Sequence, residues 1–380
     1  MHVGINAQIV TFSAGYRRAG VSRFTEQLIL SLQSRYRSSR FSVFVNETAA
    51  PGDFTNSANF IYHRSRLPTS LPAVRIAWEQ LLLPVIARGM GVDVLHCPVN
   101  VSPLLAPCPT ALTIHDLTFL LFPDRFNWER QRYLAALTRA SARRASRVMT
   151  DSEWTKRDVT RLLRVPPEKI QVVYPGLDET FFPRPAEELR EFRRQRHLPE
   201  RFLLYLGTLE PRKNIELLVQ AYSLLLKQGL RSCPLVIAGG KGWRFDRIFA
   251  EVARHGLTDQ VLFPGYVDPA DQPLWYGAAT LFVYPSLYEG FGLPPLEAMA
   301  CGTPVITSNA SSLPEVVGRA GITVNPNSAS DLAGAIAEVL GSQEKRDQMI
   351  QAGLRQAATF SWREAAQRTQ QVYEQVASST

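Results

Sequence analysis

Short apolar runs alternate with amphipathic stretches along almost the whole chain. The apolar runs include VGINAQI, FSVFV, VDVLHCP, TALTIHD and RVMTDSE in the first half, and FLLYL, PLVIAGG, LFVYPS and TPVITSN in the second. Amphipathic stretches such as RFTEQLILSLQSRY and NIELLVQAYSLLLKQ separate these runs, and signals for tight hairpins are few. Strands that alternate with helices pair in parallel, so the pattern predicts an α/β fold with mostly parallel sheets flanked by helices.

A proline-rich polar passage at Phe182-Pro183-Arg184-Pro185 divides the alternation into two series. At 380 residues the chain also exceeds the roughly 250–300 at which a single core stops growing. We therefore predict an N-terminal domain over residues 1–178 and a C-terminal domain over residues 179–361. The final helix, over about 362–380, is expected to pack back on the first domain, with Trp362 as an apolar anchor.

Composition and the chain start indicate a cytoplasmic protein. The four cysteines are scattered without CxxC spacing or nearby histidines, which is typical of buried thiols in a reducing compartment. The N-terminal MHVGINAQIV resembles a strand and lacks the charged-then-apolar layout of a signal peptide. No apolar run approaches the roughly 18 residues that cross a bilayer.

The net charge of +8 is carried by the first half of the chain. Residues 1–175 hold 22 Lys and Arg against 12 Asp and Glu, which gives +10 and leaves −2 for the rest. Part of the excess lies on a predicted helical stretch that bears Arg125, Arg130, Arg132, Arg139, Arg143, Arg144 and Arg147. Two interpretations stay open: a solvated helix face, or a surface that meets anionic lipid head groups or an anionic acceptor. No motif for nucleic acid accompanies the charge, so that partner is not expected.

Ligands of doubly wound sheets bind beyond the carboxyl ends of the strands, so the polar and glycine residues there are candidate site residues. They are Gly15 to Gly20, His115-Asp116, Gly207 to Lys213, Gly239 to Gly242 and Glu289 to Gly292. Asp116 is placed to orient His115 or to cap the next segment of the chain. His96, at the end of VDVLHCP, is interpreted as a histidine of the cleft lining or of the core.

Arg212 and Lys213, in GTLEPRKN, stand directly before a predicted helix, where the helix dipole does not favour cations. One interpretation is a pair of solvent-facing charges. The other is a site for a polyanion, and a diphosphate fits because Arg chelates two oxygens while Lys adds a point charge.

Two glutamates, Glu289 and Glu297, stand eight positions apart in YPSLYEGFGLPPLEAMACG. Pro294-Pro295 suit the first turn of a helix, so Glu297 is expected about one turn inside it. Free N–H groups at such a helix start bind phosphate or sugar oxygens. The pair of glutamates is compatible with the acid and base of a hydrolase, but Glu297 is better placed to hold ribose hydroxyls or to compensate the helix dipole.

Several common motifs are missing. GFGLPP has proline where the third glycine of GxGxxG belongs, AGGKGW has the wrong spacing, and neither GxxxxGK[ST] nor DxD occurs. We therefore expect no cofactor and no metal ion, with protein groups neutralising the leaving phosphate.

The EX7E pattern of Glu289 and Glu297, together with GTLEPRKN, TIHDLTF and Ser312-Leu313-Pro314-Glu315, resembles the retaining GT-B glycosyltransferases of family GT4, also called glycosyltransferase group 1. The resemblance covers nearly the whole chain. It implies two Rossmann-like domains with mostly parallel sheets facing across a cleft. The nucleotide sugar would bind chiefly to the second domain, and the acceptor would enter from the first.

The resemblance also assigns roles to residues. Arg212 and Lys213 would bind the diphosphate, Glu297 the ribose, and Glu289 the donor sugar. His115 would contact the sugar near the reacting carbon, and Gly207 would permit close approach of the donor. The other expected donor contacts are Gly20, Lys241, Tyr266, Val267, Phe291, Gly292 and Leu293, with Tyr266 and Val267 beside the base. The first loop is longer than in many members, so Arg17 and Arg18 would meet either phosphate or acceptor.

The resemblance implies that the chain transfers a hexose with retention from a nucleotide sugar. GDP-mannose is the first expectation for this donor, and a UDP-sugar is the second. The acceptor would be a saccharide or lipid-linked saccharide of cell-surface polysaccharide synthesis. No protein general base is evident, and in this family the departing phosphate is thought to take the acceptor proton. The alternatives are another GT-B enzyme, such as a nucleotide-sugar epimerase or a phosphorylase, and a non-catalytic protein that binds sugar nucleotides.

Overall fold

The computed structural model describes residues 1–10, 20–49, 55–123, 128–229 and 233–378. The chain forms two compact units, one of Met1–Gly176 with Trp362–Thr380 and one of Leu177–Ser361. Gly15, Arg17, Arg18 and Arg125 lie outside the described residues, as does the side chain of Arg130.

The first unit alternates strands and helices. In chain order its elements are β1 (His2–Ala7), α1 (Val21–Arg35), β2 (Arg40–Val45), β3 (Phe60–Arg64), α2 (Pro72–Ala77), a π-helical turn (Trp78–Leu82), α3 (Leu83–Gly89), β4 (Val94–Cys97), β5 (Thr110–Ile114), α4 (Thr118–Leu121), α5 (Trp128–Arg144), β6 (Arg147–Thr150), α6 (Glu153–Asp158), a second π-helical turn (Val159–Leu163), a 3₁₀ turn (Pro167–Lys169) and β7 (Ile170–Val172). The final helix of the chain, α15 (Trp362–Ala377), belongs to this unit.

The seven strands of the first sheet run in the order β3-β2-β1-β4-β5-β6-β7. Every neighbouring pair is parallel. The strand order reverses between β1 and β4, which is the kind of switch point where ligands bind in open α/β sheets. Strands β1, β4 and β5 are buried along their whole length, as expected for a parallel sheet covered on both faces.

Helix α15 packs against α1 and reaches the sheet at β4 and β5. Its Ala366, Val372 and Tyr373 are buried in the same apolar core as residues of β1 and β2. The Trp362 ring meets the edge of the Phe24 ring, with centroids 5.5 Å apart. Apolar burial and a buried hydrogen bond from Tyr373 to His96 thus join the end of the chain to the first sheet.

The second unit repeats the alternation. Its elements are α7 (Ala186–Gln195), β8 (Leu203–Leu206), a 3₁₀ turn (Pro211–Lys213), α8 (Ile215–Lys227), β9 (Leu235–Ala238), α9 (Asp246–Arg254), β10 (Val261–Gly265), α10 (Gln272–Ala278), β11 (Leu281–Tyr284), α11 (Leu293–Ala300), β12 (Val305–Ser308), α12 (Leu313–Val317), β13 (Ile322–Val324), α13 (Ala329–Gly341) and α14 (Gln343–Ala357). Its six parallel strands run in the order β10-β9-β8-β11-β12-β13, so the order reverses between β8 and β11.

The predicted α/β fold with parallel sheets is therefore confirmed. Helix α11 begins at Leu293 with Pro294 and Pro295 in its first turn, and Glu297 follows one turn in, as expected. One prediction about the arginine stretch is wrong, because α5 ends at Arg144 and Arg147 is the first residue of β6. In the described part of the chain, no helix is long and apolar enough to cross a membrane.

Candidate active site in the second unit

The switch point of the second sheet brings two distant segments together. Because β8 and β11 are neighbours, the turn after β8 lies beside the turn after β11. Arg212 and Lys213 occupy the first turn, and Glu289 occupies the second. Asn214, in a left-handed conformation at φ 58°, joins the 3₁₀ turn to α8 and donates from its amide to the carbonyl of Pro285 at 3.2 Å. The side chain of Asn214 in the first turn and the backbone carbonyl of Pro285 in the second thus hold the two turns together.

The Glu289 carboxylate lies between the two cations. Lys213 Nζ is 2.6 Å from Glu289 Oε1, and Arg212 Nη1 is 2.9 Å from Oε2. The Ser286 hydroxyl donates to Oε1 at 2.7 Å and the Tyr284 hydroxyl at 3.1 Å. Arg212 also pairs with Glu210, whose Oε1 is 2.9 Å from Nη2. The two basic residues are therefore held by carboxylates and are not a pair of solvent-facing charges.

The electrostatics of the cluster follow from burial and from these ion pairs. Burial alone would raise the pKa of Glu289, but the Arg212 guanidinium and the Lys213 ammonium outweigh it and hold this pKa at about 2. Burial, followed by repulsion from Arg212, lowers the pKa of Lys213 despite its pairing with Glu289. The cluster is therefore a fixed set of buried charges. The Glu289 carboxylate lies between Arg212 and Lys213 and reduces the repulsion between these two cations.

The backbone around Glu289 is fixed by two serines that come after β12. The N–H of Glu289 donates to the Ser311 hydroxyl at 2.9 Å, and the Ser312 hydroxyl donates to the Glu289 carbonyl at 3.0 Å. Gly292 has φ 121°, and a Cβ on it would lie 2.8 Å from a methyl of Leu313. This glycine is therefore required both by its conformation and by the closeness of α12.

Glu297 lies on the buried face of α11. The Tyr276 hydroxyl of α10 donates to Glu297 Oε2 at 3.0 Å, which orients the carboxylate. Phe291, Gly292 and Leu293 lead into the start of the same helix. A carboxylate and a helix start are both present within one short segment, as its sequence predicts.

The loops after β8 and β9 pack closely on each other. A Cβ on Gly239, at φ 140°, would lie 1.9 Å from the Gly207 carbonyl oxygen, so only glycine fits there. Lys241 pairs by its backbone with Leu209, and its Nζ lies 4.9 Å from the centre of the Phe245 ring. The Lys241 ammonium group thus lies beside an aromatic ring.

Tyr266 and Val267 come directly after β10 and border a cavity of about 440 Å³. The cavity is also lined by residues just after α7, in the turn before α10 and within α10, including Arg196, Asp268, Asp271 and Trp275. Tyr266 is exposed, whereas Val267 is buried. The volume lies in the range of small-molecule sites.

In the first unit, His115 comes directly after β5 and is buried. Its Nδ1 lies 2.7 Å from Asp151 Oδ2, and its Nε2 lies 2.7 Å from the Pro98 carbonyl oxygen. Asp116 accepts from the Thr118 N–H at 2.9 Å, so it caps the start of α4 rather than pairing with His115. Gly20 has φ 64° and directly precedes α1.

His96 is a core histidine, as one of its two interpretations proposes. It is fully buried, with its ring nitrogens 2.9 Å from the Thr113 hydroxyl and 2.7 Å from the Tyr373 hydroxyl. Burial, and then the nearby His115, lowers its pKa to about 3, so the ring is neutral.

Sequence reasoning missed several partners of the predicted site residues. They are Asp151 beside His115, Tyr276 beside Glu297, and Tyr284, Ser286 and Ser311 around the ion cluster. Asp151, in RVMTDSE, directly follows strand β6, and a polar residue at the end of a strand was the available signal. The others lie inside apolar runs or turns, where nothing in the sequence marks them.

The arrangement offers cations, oriented carboxylates and a helix start at one edge of a parallel sheet. Such groups bind and stabilise an anionic leaving group that carries a sugar. No cluster of three or more His, Cys, Asp or Glu side chains suited to a metal ion occurs among the described residues.

Comparison with known proteins assigns a family to each half of the chain. A family model described as Glycosyl transferases group 1 matches residues 188–356, and one described as Glycosyltransferase Family 4 matches residues 18–181. The chain is 37% identical to the O-antigen chain mannosyltransferase B of Escherichia coli over 262 residues, and this aligned segment covers 69% of each protein. It is 33% identical to the serotype-specific mannosyltransferase WbdA of Escherichia coli, over 68% of this chain and 32% of that longer protein.

Among solved structures, sucrose-phosphate synthase from Thermosynechococcus elongatus has the same fold. It superposes with a TM-score of 0.78 at 23% identity, and the match covers 100% of both chains.

Proposed function

The chain belongs to the glycosyl transferases group 1 family and is a glycosyltransferase of GT-B fold, and on this premise we propose that it is a mannosyltransferase. In this proposal it transfers mannose from GDP-mannose, with retention, to a hydroxyl of a saccharide or lipid-linked saccharide in cell-surface polysaccharide synthesis. The observation that carries the choice of sugar is the 37% identity to an O-antigen chain mannosyltransferase. A UDP-sugar is the second candidate donor.

The donor diphosphate is proposed to bind at Arg212 and Lys213. Both cations are fixed by Glu289, which lies within 2.9 Å of each, so their geometry is set before a ligand arrives. Glu297, oriented by Tyr276, is proposed to accept hydrogen bonds from the ribose. The cavity beside Tyr266 and Val267 is proposed to receive the base, since its volume suits a small aromatic group.

In the proposed reaction, the bond between the anomeric carbon and the phosphate oxygen breaks while the acceptor oxygen bonds to the same carbon from the same face. The departing phosphate takes the acceptor proton. Negative charge grows on the leaving diphosphate, and Arg212 and Lys213 stabilise it without a metal ion. Each such donor is worth about 2.7–4 kcal/mol by analogy with oxyanion holes.

The deciding experiment combines binding with turnover. A thermal-shift screen over GDP-, UDP-, ADP- and dTDP-sugars identifies the nucleotide, because a ligand at about 100 times its Kd stabilises the fold by roughly 2.7 kcal/mol. The purified protein is then given the stabilising donor with and without a mannoside acceptor, and the anomer of the product is read by NMR. We expect GDP-mannose to stabilise most and an α-linked mannoside to form from the α-configured donor.

Other outcomes of the same experiment identify the alternatives. Conversion of the donor sugar with no acceptor present would identify an epimerase. Binding without any turnover, over a wide set of acceptors, would identify a non-catalytic protein that binds sugar nucleotides. Stabilisation by UDP-sugars alone would overturn the choice of GDP-mannose while leaving the transferase activity intact.

We also propose that the first unit rests on an anionic membrane surface. Four apolar side chains of this unit are strongly exposed, namely Leu81 (68%), Val85 (69%), Leu105 (76%) and Trp128 (66%), and we propose that they form one surface, termed the apolar surface. Gln80 donates to the Ser102 carbonyl and accepts from the Leu104 N–H, so the loop that carries Leu105 lies against the helix that carries Leu81. The Arg132 guanidinium lies 5.8 Å from the Trp128 ring.

This combination fits a lipid surface. Trp and arginine side chains favour the interface between head groups and acyl chains, and exposed Arg88 and Arg132 add attraction to anionic lipids. An apolar surface without cations would suit a protein partner equally well. The exposed arginines are the reason that we favour an anionic lipid surface over a protein partner.

Vesicle cosedimentation tests this surface without any donor or acceptor. We expect binding to vesicles that contain phosphatidylglycerol, weaker binding to pure phosphatidylcholine, and loss of binding at high salt. The double variant Leu81→Ser/Val85→Ser should bind at least about tenfold more weakly, because each side chain contributes about 1.5–3 kcal/mol on burial. Leu30→Ser, at an exposed leucine of α1, is the matched control. Equal binding by the double variant and the control would overturn the assignment.

A further inference from the structure

Both ring nitrogens of His115 face hydrogen-bond acceptors. Nδ1 lies 2.7 Å from the Asp151 carboxylate, and Nε2 lies 2.7 Å from the Pro98 carbonyl oxygen. A neutral imidazole carries one N–H and one lone pair, so it satisfies only one of these acceptors. A carbonyl oxygen never donates, so Nε2 must carry a proton, and only a second proton on Nδ1 lets the ring donate to Asp151 as well. Only the doubly protonated ring satisfies both contacts.

We propose that His115 is held as an imidazolium at neutral pH, and that in this form it is a positioning residue for the transfer reaction. It joins three loops at the carboxyl edge of the first sheet, and it is neither a general base nor a hydrogen-bond acceptor for substrate. The kinetic part of this proposal rests on the transferase function proposed above, whereas the protonation state does not.

The surroundings of Asp151 support a cation at His115. Asp151 is only 6% exposed, and its Oδ1 has no hydrogen-bond partner among the described residues. Within that part of the chain, no Lys or Arg forms an ion pair with it, and His115 is the basic group at Oδ2. A buried carboxylate is costly unless a positive group pairs with it, so a neutral His115 would leave Asp151 uncompensated.

Other groups face the ring from each packed element. Asp116, the next residue, adds a favourable charge, whereas His96 of β4 adds none, because its pKa of about 3 leaves its ring neutral. The Phe24 ring of α1 meets His115 edge to face, with centroids 4.8 Å apart. Burial lowers the pKa of His115, but Asp151, the Pro98 carbonyl and Asp116 outweigh burial, and the net direction is upward.

The imidazolium connects the loops after β4, β5 and β6. Nε2–H holds the Pro98 carbonyl after β4, and Nδ1–H holds Asp151 after β6. The backbone of His115 adds two more contacts: its N–H donates to Asn100 Oδ1 at 3.3 Å, and its carbonyl accepts from the Thr155 hydroxyl at 3.3 Å. Loss of one ring proton would set a nitrogen lone pair against an acceptor oxygen and push one of these loops away.

The direct test is an NMR spectrum of protein labelled with ¹⁵N-histidine. At about pH 7.5, one unit above the pKa of free histidine, we expect one ring with both nitrogens protonated, assigned by its disappearance in His115→Gln. Asp151→Asn should convert that ring to the neutral form, while Asp151→Glu, which keeps the charge, should preserve the imidazolium. A wild-type His115 ring with one unprotonated nitrogen at this pH would overturn the proposal, whether or not the variants fold.

The kinetic test separates this role from a purely structural one. Transfer by the wild type should fall as the pH rises through the raised pKa of His115. Asp151→Asn should move this loss of activity to lower pH, because it removes the charge that raises the pKa, whereas Asp151→Glu should not. A variant that merely loosens the fold would lose activity by the same factor at every pH. If Asp151→Asn lost transfer activity over the same pH range as the wild type, His115 would be excluded as the origin of the loss at high pH.

Discussion

Lys213 Nζ lies 2.6 Å from Glu289 Oε1, although the two residues stand 76 positions apart in the chain. The contact exists because β8 and β11 are adjacent at the point where the strand order of the second sheet reverses. A glutamate that the sequence assigns to sugar binding is therefore also the counterion of the two cations assigned to the diphosphate. Changes at any of the three residues should affect the other two.

Replacing either cation should reduce turnover. We expect Arg212→Ala and Lys213→Ala each to lower kcat by about 10²–10³, because each removes a donor to the charge that grows on the leaving diphosphate. Lys213→Ala should also lower the melting temperature, since it breaks a buried ion pair. Steady-state kinetics and thermal melts measure both effects. Lys227→Ala, an exposed lysine at the end of α8, should behave as the wild type. Full activity in either cluster variant would contradict diphosphate binding there.

The depressed pKa of Glu289 predicts how stability depends on pH. Its folded pKa of about 2 lies below the ordinary glutamate value of 4.5, so its stabilising effect is complete above about pH 4.5 and is lost as the pH falls toward 2. Glu289→Gln removes that contribution, so its stability should fall less than that of the wild type over the same interval. Urea unfolding at stepwise lower pH measures the difference. Parallel curves for the two proteins would show that Glu289 does not carry the effect.

Glu297 should control nucleotide affinity more than the chemical step. Glu297→Ala removes the proposed ribose acceptor, so the donor KM should rise by about tenfold or more, as expected for a lost hydrogen bond to a charged group. Tyr276→Phe removes only the hydroxyl that orients the carboxylate and should have a smaller effect in the same direction. The exposed Glu338→Ala is the control. If kcat fell while the donor KM stayed constant, Glu297 would act in the transition state instead.

Gly292 should tolerate no side chain. At φ 121°, with a methyl of Leu313 only 2.8 Å from where a Cβ would lie, Gly292→Ala is strained by conformation and by contact, which costs about 1–3 kcal/mol. Gly334→Ala, in α13 with no atom within 4 Å of its Cβ, should instead stabilise the protein by about 0.5–1 kcal/mol. Chemical denaturation compares the two. Equal changes in the free energy of unfolding for the two variants would mean that α12 moves away from residue 292 without cost.

Transfer should persist in EDTA. Arg212 and Lys213 already supply two fixed positive groups at the proposed diphosphate site, so a divalent ion is not needed there. Activity measured after exhaustive dialysis against EDTA should equal that with added Mg²⁺ or Mn²⁺. An absolute requirement for either ion would overturn the metal-independent mechanism.

Local patterns in the sequence were sufficient to predict the elements that carry the site. The turn at Gly290 to Gly292, the prolines at the start of α11 and the position of Glu297 all follow from residue preferences that act within a few positions. The boundary between α5 and β6 was less accessible, because Arg144 and Arg147 belong to one continuous basic stretch. Charge alone does not distinguish the end of a helix from the start of a strand.

The sequence by itself determined the α/β alternation, the parallel sheets and the identity of the charged residues at the strand ends, because each of these depends on local periodicity and composition. Only the tertiary structure decided that Glu289 lies between Arg212 and Lys213, and that Asp151 lies against His115. Those pairings depend on which strands are neighbours in the sheet. Strand order is set by the packing of the whole unit, and no short stretch of sequence encodes it.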